Sequence, residues 1–360
     1  MKFILPITIS LLLLSSCANM VAPTGGEKDV SSPFLLKINS KKNIKKVHQR
    51  IISFEFDEFI VLNQWEENFY ISPPIQKRIQ KKIKVVTLIL TIEDTLALNT
   101  TYYIALNNCI KDLNEGNVLD TLHYIFSTSD KLDTLAISGK LQDAYTLDVI
   151  DNAWIMLFEE SRNDSVLFKE TPNYIAKTDK NGQFNFPNLN TKNYNIVALT
   201  DFDFIYNEGE KIAFNNTIIN TEKDSFISLL AFNPIIKIDS TISDTTAINT
   251  DSTITDSLLI VEGVYGNLAI ITTENSPCIF QILQNNKEIK EYAFIEQPFL
   301  LTDITPGKYQ LKYIADSNTD GEWTTGNWKN KTQAEEVTNY SSEITIRSNW
   351  DLELEWLIGE

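Results

Sequence analysis

Apolar and polar residues alternate with a period of two along most of this chain. The pattern runs through "RIISFEFDEFIVL" (50–62) and "KKIKVVTLILTI" (81–92). Successive side chains of a strand point to opposite faces, so such stretches predict β-strands with one buried face. "LNTTYYIALNNCI" (98–110) predicts a strand entered through a turn, and "LHYIFSTS" (122–129) closes the set. Between them, "KDLNEGNVL" (111–119) is a Gly/Asn/Asp loop. Short strands at regular spacing predict a β-sandwich over 34–130.

The pattern then changes in detail but not in kind. "LAISGKL" (135–141) and "AWIMLFEE" (153–160) predict strands. In "KTDKNGQFNFPNLNTKNYNIVAL" (177–199), Asp179 to Gly182 is turn chemistry. Phe184 and Phe186 share one face, as do Tyr194, Ile196 and Ala198 on the next strand. Residues 134–237 form the second module. After it, 238–257 is Asp, Ser and Thr with sparse Ile. Such a segment cannot offset its ordering entropy by burial, which predicts a linker. The third module is 258–360. "EQPFLLTDITPGKYQLKYIADSN" aligns without a gap on "NGQFNFPNLNTKNYNIVALTDFD" at an offset of 115. Phe184 falls on Phe299, Leu189 on Ile304, Tyr194 on Tyr309, Ile196 on Leu311 and Asp201 on Asp316. The matches lie on inward-facing or turn positions, so the second and third modules read as divergent copies of one sandwich. The fold class expected is all-β, with tandem sandwiches.

Several of these stretches resemble known families. The order of strands and loops over 34–130 resembles the bacterial Ig-like domain of envelope and surface-layer proteins. The T-D-x-x-G-x-F-x-F-x-x-L…Y-x-I-x-A pattern of the second module is similar to carboxypeptidase-regulatory-like and transthyretin-like sandwiches. The N-terminus has a short positive start at Lys2, an apolar run from Phe3 to Leu14, then small residues. That is the layout of a secretory signal, and the run is too short to span a bilayer. Leu14-Ser15-Ser16-Cys17 resembles the lipobox of bacterial lipoproteins. The resemblance implies a signal peptide over 1–16, cleavage before Cys17, and acylation of its thiol and new amino group, palmitate included. At about 0.8 kcal/mol per buried CH₂, several acyl chains anchor a protein stably in a membrane. Residues 17–33 then read as a small, polar, turn-rich tether. Ala18 is not the Asp that retains many such proteins in the inner membrane, so the analogy favours the outer membrane, on a face it does not decide. Taken whole, the order resembles the Ig-like-domain lipoproteins of Bacteroidota, which implies an envelope location and names no enzyme activity.

Charge narrows the partners. The formal net charge is −17, which argues against nucleic acid, whose binding needs Lys and Arg on phosphates. A basic stretch interrupts the acidic whole: Lys77, Arg78, Lys81, Lys82 and Lys84, with Lys41, Lys42, Lys45 and Lys46 upstream. It reads as attraction to an anionic envelope surface, or as lysines that block edge-to-edge strand pairing, and the second reading is favoured. Cys109 and Cys278 lie in different modules and are expected to be small buried apolar residues. His48 and His123 share no helix turn, and neither HExxH nor GxSxG occurs. Zinc and serine-nucleophile chemistry are therefore not expected, and the chain reads as a non-enzyme.

Two features of the third module are candidate sites. Asp316, Asn318 and Asp320 alternate ahead of Gly321, as in the first half of a calcium loop. The twelfth position is Asn327 rather than Glu, so the EF-hand is excluded. A calcium ion would be held by Asp316, Asn318, Asp320 and Glu322, or with Glu335 or Glu336 closing the site. The competing reading is an Asx-stabilised turn without an ion. Beside it, Trp323 and Trp328 are open enough to form a sugar-stacking platform, whereas Trp350 and Trp356 read as core positions of a last strand. The candidate partners are thus a membrane through Cys17, and an envelope protein or a glycan.

Overall fold

The computed structural model describes residues 28–42, 50–160, 170–201, 204–234, 265–273 and 275–358. Cys17, Lys45, Lys46, His48, Asp203 and the 238–257 segment lie outside them. Among the described residues the fold is all-β, with one four-residue helix, α1 (Trp65–Asn68). The chain divides into two compact units, Met1–Phe69 with Ile79–Glu93 and Leu106–Leu122, and Tyr70–Arg78 with Asp94–Ala105 and His123–Glu360. Strands from 34–130 therefore fall in both.

In the first unit, β1 (Leu35–Lys42), β2 (Arg50–Phe56), β5 (Gln80–Lys84) and β6 (Thr87–Ile92) form a sheet in the order β1-β2-β6-β5. Alternation dictates its buried face: Ile52, Phe54 and Phe56 of β2 are buried with Leu88, Leu90 and Ile92 of β6. "KKIKVVTLILTI" is a hairpin rather than one strand. Val85, with φ 60, turns the chain between β5 and β6. A β-branched residue is an unusual occupant of that left-handed region, so no turn signal marks the bend. Lys81, Lys82 and Lys84 lie on β5, an edge strand, where lysines discourage pairing with another chain. Lys81 also pairs with Glu66 at 2.6 Å and sits 4.9 Å from the Trp65 ring centroid. β3 (Ile60–Leu62) pairs with β8 (Ile110–Asp112).

The second unit holds the three-stranded sheet β4 (Tyr70–Ser72), β7 (Thr101–Ala105) and β9 (His123–Ser127), in the order β4-β7-β9, and two sandwiches. The earlier sandwich packs the sheet β13-β10-β17 on the sheet β12-β11-β14-β15. Its strands are β10 (Leu135–Asp143), β11 (Trp154–Glu159), β12 (Tyr174–Lys177), β13 (Gln183–Leu189), β14 (Asn193–Leu199), β15 (Ile212–Phe214), β16 (Ile219–Asn220) and β17 (Phe226–Ala231). The later sandwich runs β18 (Gly266–Ile271), β19 (Cys278–Gln284), β20 (Lys287–Phe294), β21 (Phe299–Ile304), β22 (Gly307–Ala315), β23 (Val337–Asn339), β24 (Ile344–Ile346) and β25 (Asp351–Glu355). Its sheets are β21-β18-β25 and β20-β19-β22-β23.

The pairing repeats strand for strand. β10 is antiparallel to β13 and parallel to β17, as β18 is to β21 and β25. The short β16 and β24 both pair with the start of the long central strand. The aligned residues occupy matching places: Phe184 and Phe299, Leu189 and Ile304, Tyr194 and Tyr309, Ile196 and Leu311 are all buried in their respective cores. Each buried tyrosine ties down its own preceding turn, Tyr194 by donating its hydroxyl to Asn190 Oδ1 and Tyr309 to Thr305 O at 2.9 Å. Cys109 and Cys278 are free and buried. Cys278 sits in the later core, and burial pushes its thiol up to about 12.

Candidate functional site

The stretch Ala315–Glu336 leaves β22 and returns as β23. Asp316 is buried, and its carboxylate accepts the backbone N–H of Asp320 at 3.2 Å and of Gly321 at 3.0 Å. Asn318 Oδ1 accepts from Asp320 N at 2.9 Å, and Asp320 Oδ1 from Glu322 N at 2.9 Å. The Glu322 N–H, with the Asn318 amide and the Thr324 hydroxyl, holds the Asp320 carboxyl below its ordinary value. Buried Glu335 closes the far end: Oε1 accepts from Ser317 N and Oγ, and Oε2 from Thr324 N. Each of these carboxylates thus turns oxygen lone pairs toward loop N–H groups, and Asn318 and Asp320 do so as Asx turns. Among the described residues, no group of three or more His, Cys, Asp or Glu is arranged to hold a metal ion. Asp316, Asn318 and Asp320 build this turn with their side chains, and Glu322 joins it through its backbone N–H.

The tryptophans are placed differently from expectation. Trp328 is only 9% exposed and packs edge-on against Phe214 at 4.9 Å, within the outer cluster of the earlier sandwich. Trp323 is half-buried, donates its indole N–H to Glu335 O at 3.0 Å and lies 5.0 Å from the Tyr145 ring. A Cβ on Gly326 would fall 2.4 Å from the Phe232 ring, so this position admits no side chain. Thr325 Oγ1 donates to Asn233 O at 2.8 Å, and Gln333 Nε2 to Phe214 O at 2.9 Å. The two rings therefore pack between the sandwiches, Trp328 buried and Trp323 half-buried. Trp356 is buried at 6% exposure, but Trp350 is 55% exposed. Both have the same parity, yet Trp350 precedes β25 and overruns the end of the core.

The opposite half of this junction is a small hairpin-like turn, closed by the isolated Gln142–Val149 bridge, within the connection that carries the chain from β10 to β11 of the other sheet. Asp143 Oδ1 accepts from Tyr145 N and Thr146 N, each at 2.9 Å, and Lys211 pairs with Oδ2. Burial opposes the charge of Asp143, but the Lys211 bond and those N–H donors outweigh it and hold its carboxyl low. The hairpin delivers Tyr145 and Leu147 onto Ile279, Ile314 and Val337 of the later sandwich. Lys312 Nζ donates to Tyr145 O at 3.0 Å and lies 4.0 Å from its ring centroid. Tyr145, and the packing role of the Ala315–Glu336 loop, are what sequence reasoning missed. One signal was available for the face they cover. "WIMLF" is apolar without alternation, which marks a strand covered on both sides.

His123 stacks on Tyr103 at 5.5 Å. A larger, open cleft of about 1050 Å³ is lined by Lys77, Asp94, Tyr102, Glu159, Asn190 and Lys192, among others. Its charges are engaged: Asp94 accepts from Lys77 N at 2.8 Å, and Glu159 pairs with Lys192 at 2.7 Å.

Comparison with known proteins adds one family. Residues 29–128 match the bacterial Ig-like domain, which is less than half of the chain. No curated protein matches the chain. Among solved structures, the Bacillus anthracis TIE protein is 13% identical, with 93% of this chain covering 59% of that one at a TM-score of 0.19. The present chain thus spans little more than half of that relative. BcpA, the major pilin subunit of Bacillus cereus, is 9% identical, covers 54% of this chain and 70% of its own, and scores 0.19. A streptococcal ancillary pilin is 12% identical, with coverages of 78% and 80% and a score of 0.17. Scores this low carry no argument, and the Ig-like character rests on residues 29–128.

Proposed function

We propose that the protein is a lipid-anchored, non-catalytic cell-envelope protein, held in the outer membrane through acylated Cys17, whose sandwiches act as a structural or protein-interaction module. The observation that carries the modular reading is the junction in the second unit. There the third module packs two tryptophans and a glycine against its neighbour, and buried Glu335 holds together the loop that carries them. A chain built this way holds its sandwiches in register. The Ig-like match over 29–128 supports a structural role for the first module as well. The lipobox-like Leu14-Ser15-Ser16-Cys17 and its apolar leader support the anchor. Stacking of a glycan on Trp323 and Trp328 is not favoured, because packing occupies both rings.

Labelling of producing cells with palmitate tests the anchor. Label should enter the wild-type protein and be lost in C17S, which should also leave the membrane fraction. An unlabelled wild-type protein, or a C17S protein still held by membranes, would overturn it. Crosslinking in intact cells tests the interaction role, and a reproducible protein partner is the expected outcome.

A further inference from the structure

The two copies differ most on one row of side chains. In the earlier sandwich, Met156 of β11 is opposite Ile175 of β12 and Val197 of β14, and Val197 is opposite Phe214 of β15. Opposed residues share a face, so Ile175, Met156, Val197 and Phe214 form one buried apolar row. The same pairings in the later sandwich read Glu291, Gln281, Lys312 and Asn339. Every apolar residue has been exchanged for a polar one, and the two central ones stay buried, Gln281 at 3% and Lys312 at 5% exposure. The sister copy shows that the fold itself makes no demand for polarity here. Burying an amide and an ammonium costs free energy unless they are paired, and desolvation holds the Lys312 ammonium below its ordinary pKa. Gln281 Nε2 is aimed at Tyr145 Oη (3.0 Å), Glu288 Oε2 (3.0 Å) and Glu291 Oε2 (2.7 Å). Gln281, Lys312 and Asn339 of this row floor a cleft of about 380 Å³ walled by Tyr145, Asp148, Asn286, Glu288 and Tyr340.

We propose that this cleft is a binding site for a neutral sugar, a single ring or a disaccharide. Its volume lies at the small end of the range that holds small molecules, about 300–1,000 Å³. The lining has amides that both donate and accept, two tyrosines, one ammonium and two carboxylates. An anionic ligand would meet Asp148 and Glu288, and a cationic one would meet Lys312. A neutral ring carrying hydroxyls meets no uncompensated charge and finds donors and acceptors on each side. The site differs from the tryptophan platform and does not depend on membrane anchoring.

The test is titration of the full chain with glucose, galactose, mannose and N-acetylglucosamine, read by saturation-transfer NMR and calorimetry. At least one should bind saturably, and more tightly than glucosamine or glucuronate. The double variant Gln281→Met, Lys312→Val copies the sister face. It should still fold, with some loss of melting temperature from the unpaired Tyr145 carbonyl, and lose at least tenfold in affinity. Glu288→Gln keeps an oxygen acceptor for Gln281 and should weaken binding with little change in melting temperature. The proposal is overturned if no neutral sugar saturates, if a charged analogue binds more tightly, or if either folded variant binds as the parent does.

Discussion

Replacement of Trp328 by Ala separates a packing role from a ligand-binding role. The indole is nine-tenths buried and meets Phe214 edge-on, in a cluster with Phe232 and Tyr206 of the neighbouring sandwich. Removing a buried Trp leaves a cavity as well as losing its transfer free energy, which together cost about 3–5 kcal/mol. In a unit of about 150–250 residues, each kcal/mol lowers the melting temperature by about 2–4 °C. Scanning calorimetry of W328A should therefore show the transition of the second unit displaced by about 6–20 °C. W328F keeps the edge-on ring contact and should show a clearly smaller displacement. A ring waiting for a ligand would behave otherwise, since its truncation would abolish binding and barely move the transition. If W328A melts within about 2 °C of the parent, the packing argument fails for this residue.

Other outcomes follow from the same region. Gly326→Ala places a methyl on the Phe232 ring, and overpacking of this kind costs about 1–3 kcal/mol; melting of G326A should show the loss, and shrinking Phe232 to Leu in the same chain should return part of it. Asp316→Ala strips acceptors from the N–H groups of Asp320 and Gly321, a loss of about 1–3 kcal/mol, while EDTA or added calcium should leave the parent's melting temperature where it was; a rise with calcium would favour an ion-bound loop over an ion-free turn. The folded-state pKa of Asp143 is depressed, so its contribution is fully present above the ordinary value of 3.8 and is lost as pH falls through the folded value. Melting temperature should thus fall on acidification below about pH 4, and the fall should be shallower in D143N.

Where one face of a strand meets the core and the other meets solvent, alternation made the element readable. Phe184, Phe186, Tyr194 and Ile196 were legible for that reason, and so was the duplication that places Phe299 and Tyr309 beside them. Legibility failed where a second body covers the outer face. Trp328 looks free because its packing partners, Phe214 and Phe232, lie over 90 positions earlier. Trp350 looks buried because parity says nothing about where a core stops. The turn at Val85 carries neither Gly nor Asn, so a hairpin read as one strand. The polar row left a trace in "CIFQILQ", where Gln281 interrupts an apolar run. That trace gains meaning only when pairing shows Glu291, Lys312 and Asn339 level with it.

The parallel pairing of first and last strands has a mechanical consequence. In each copy the opening strand and the closing strand run side by side in the same direction, β10 with β17 and β18 with β25. The chain therefore enters such a copy at one end and leaves at the other. Tension drawn through the backbone pulls these two strands lengthwise past each other. Ser138–Asp143 against Phe226–Ala231, and Asn267–Ile271 against Asp351–Glu355, would bear it in shear, with all their hydrogen bonds loaded together rather than peeled one by one. A tether under load would meet its stiffest resistance at that seam.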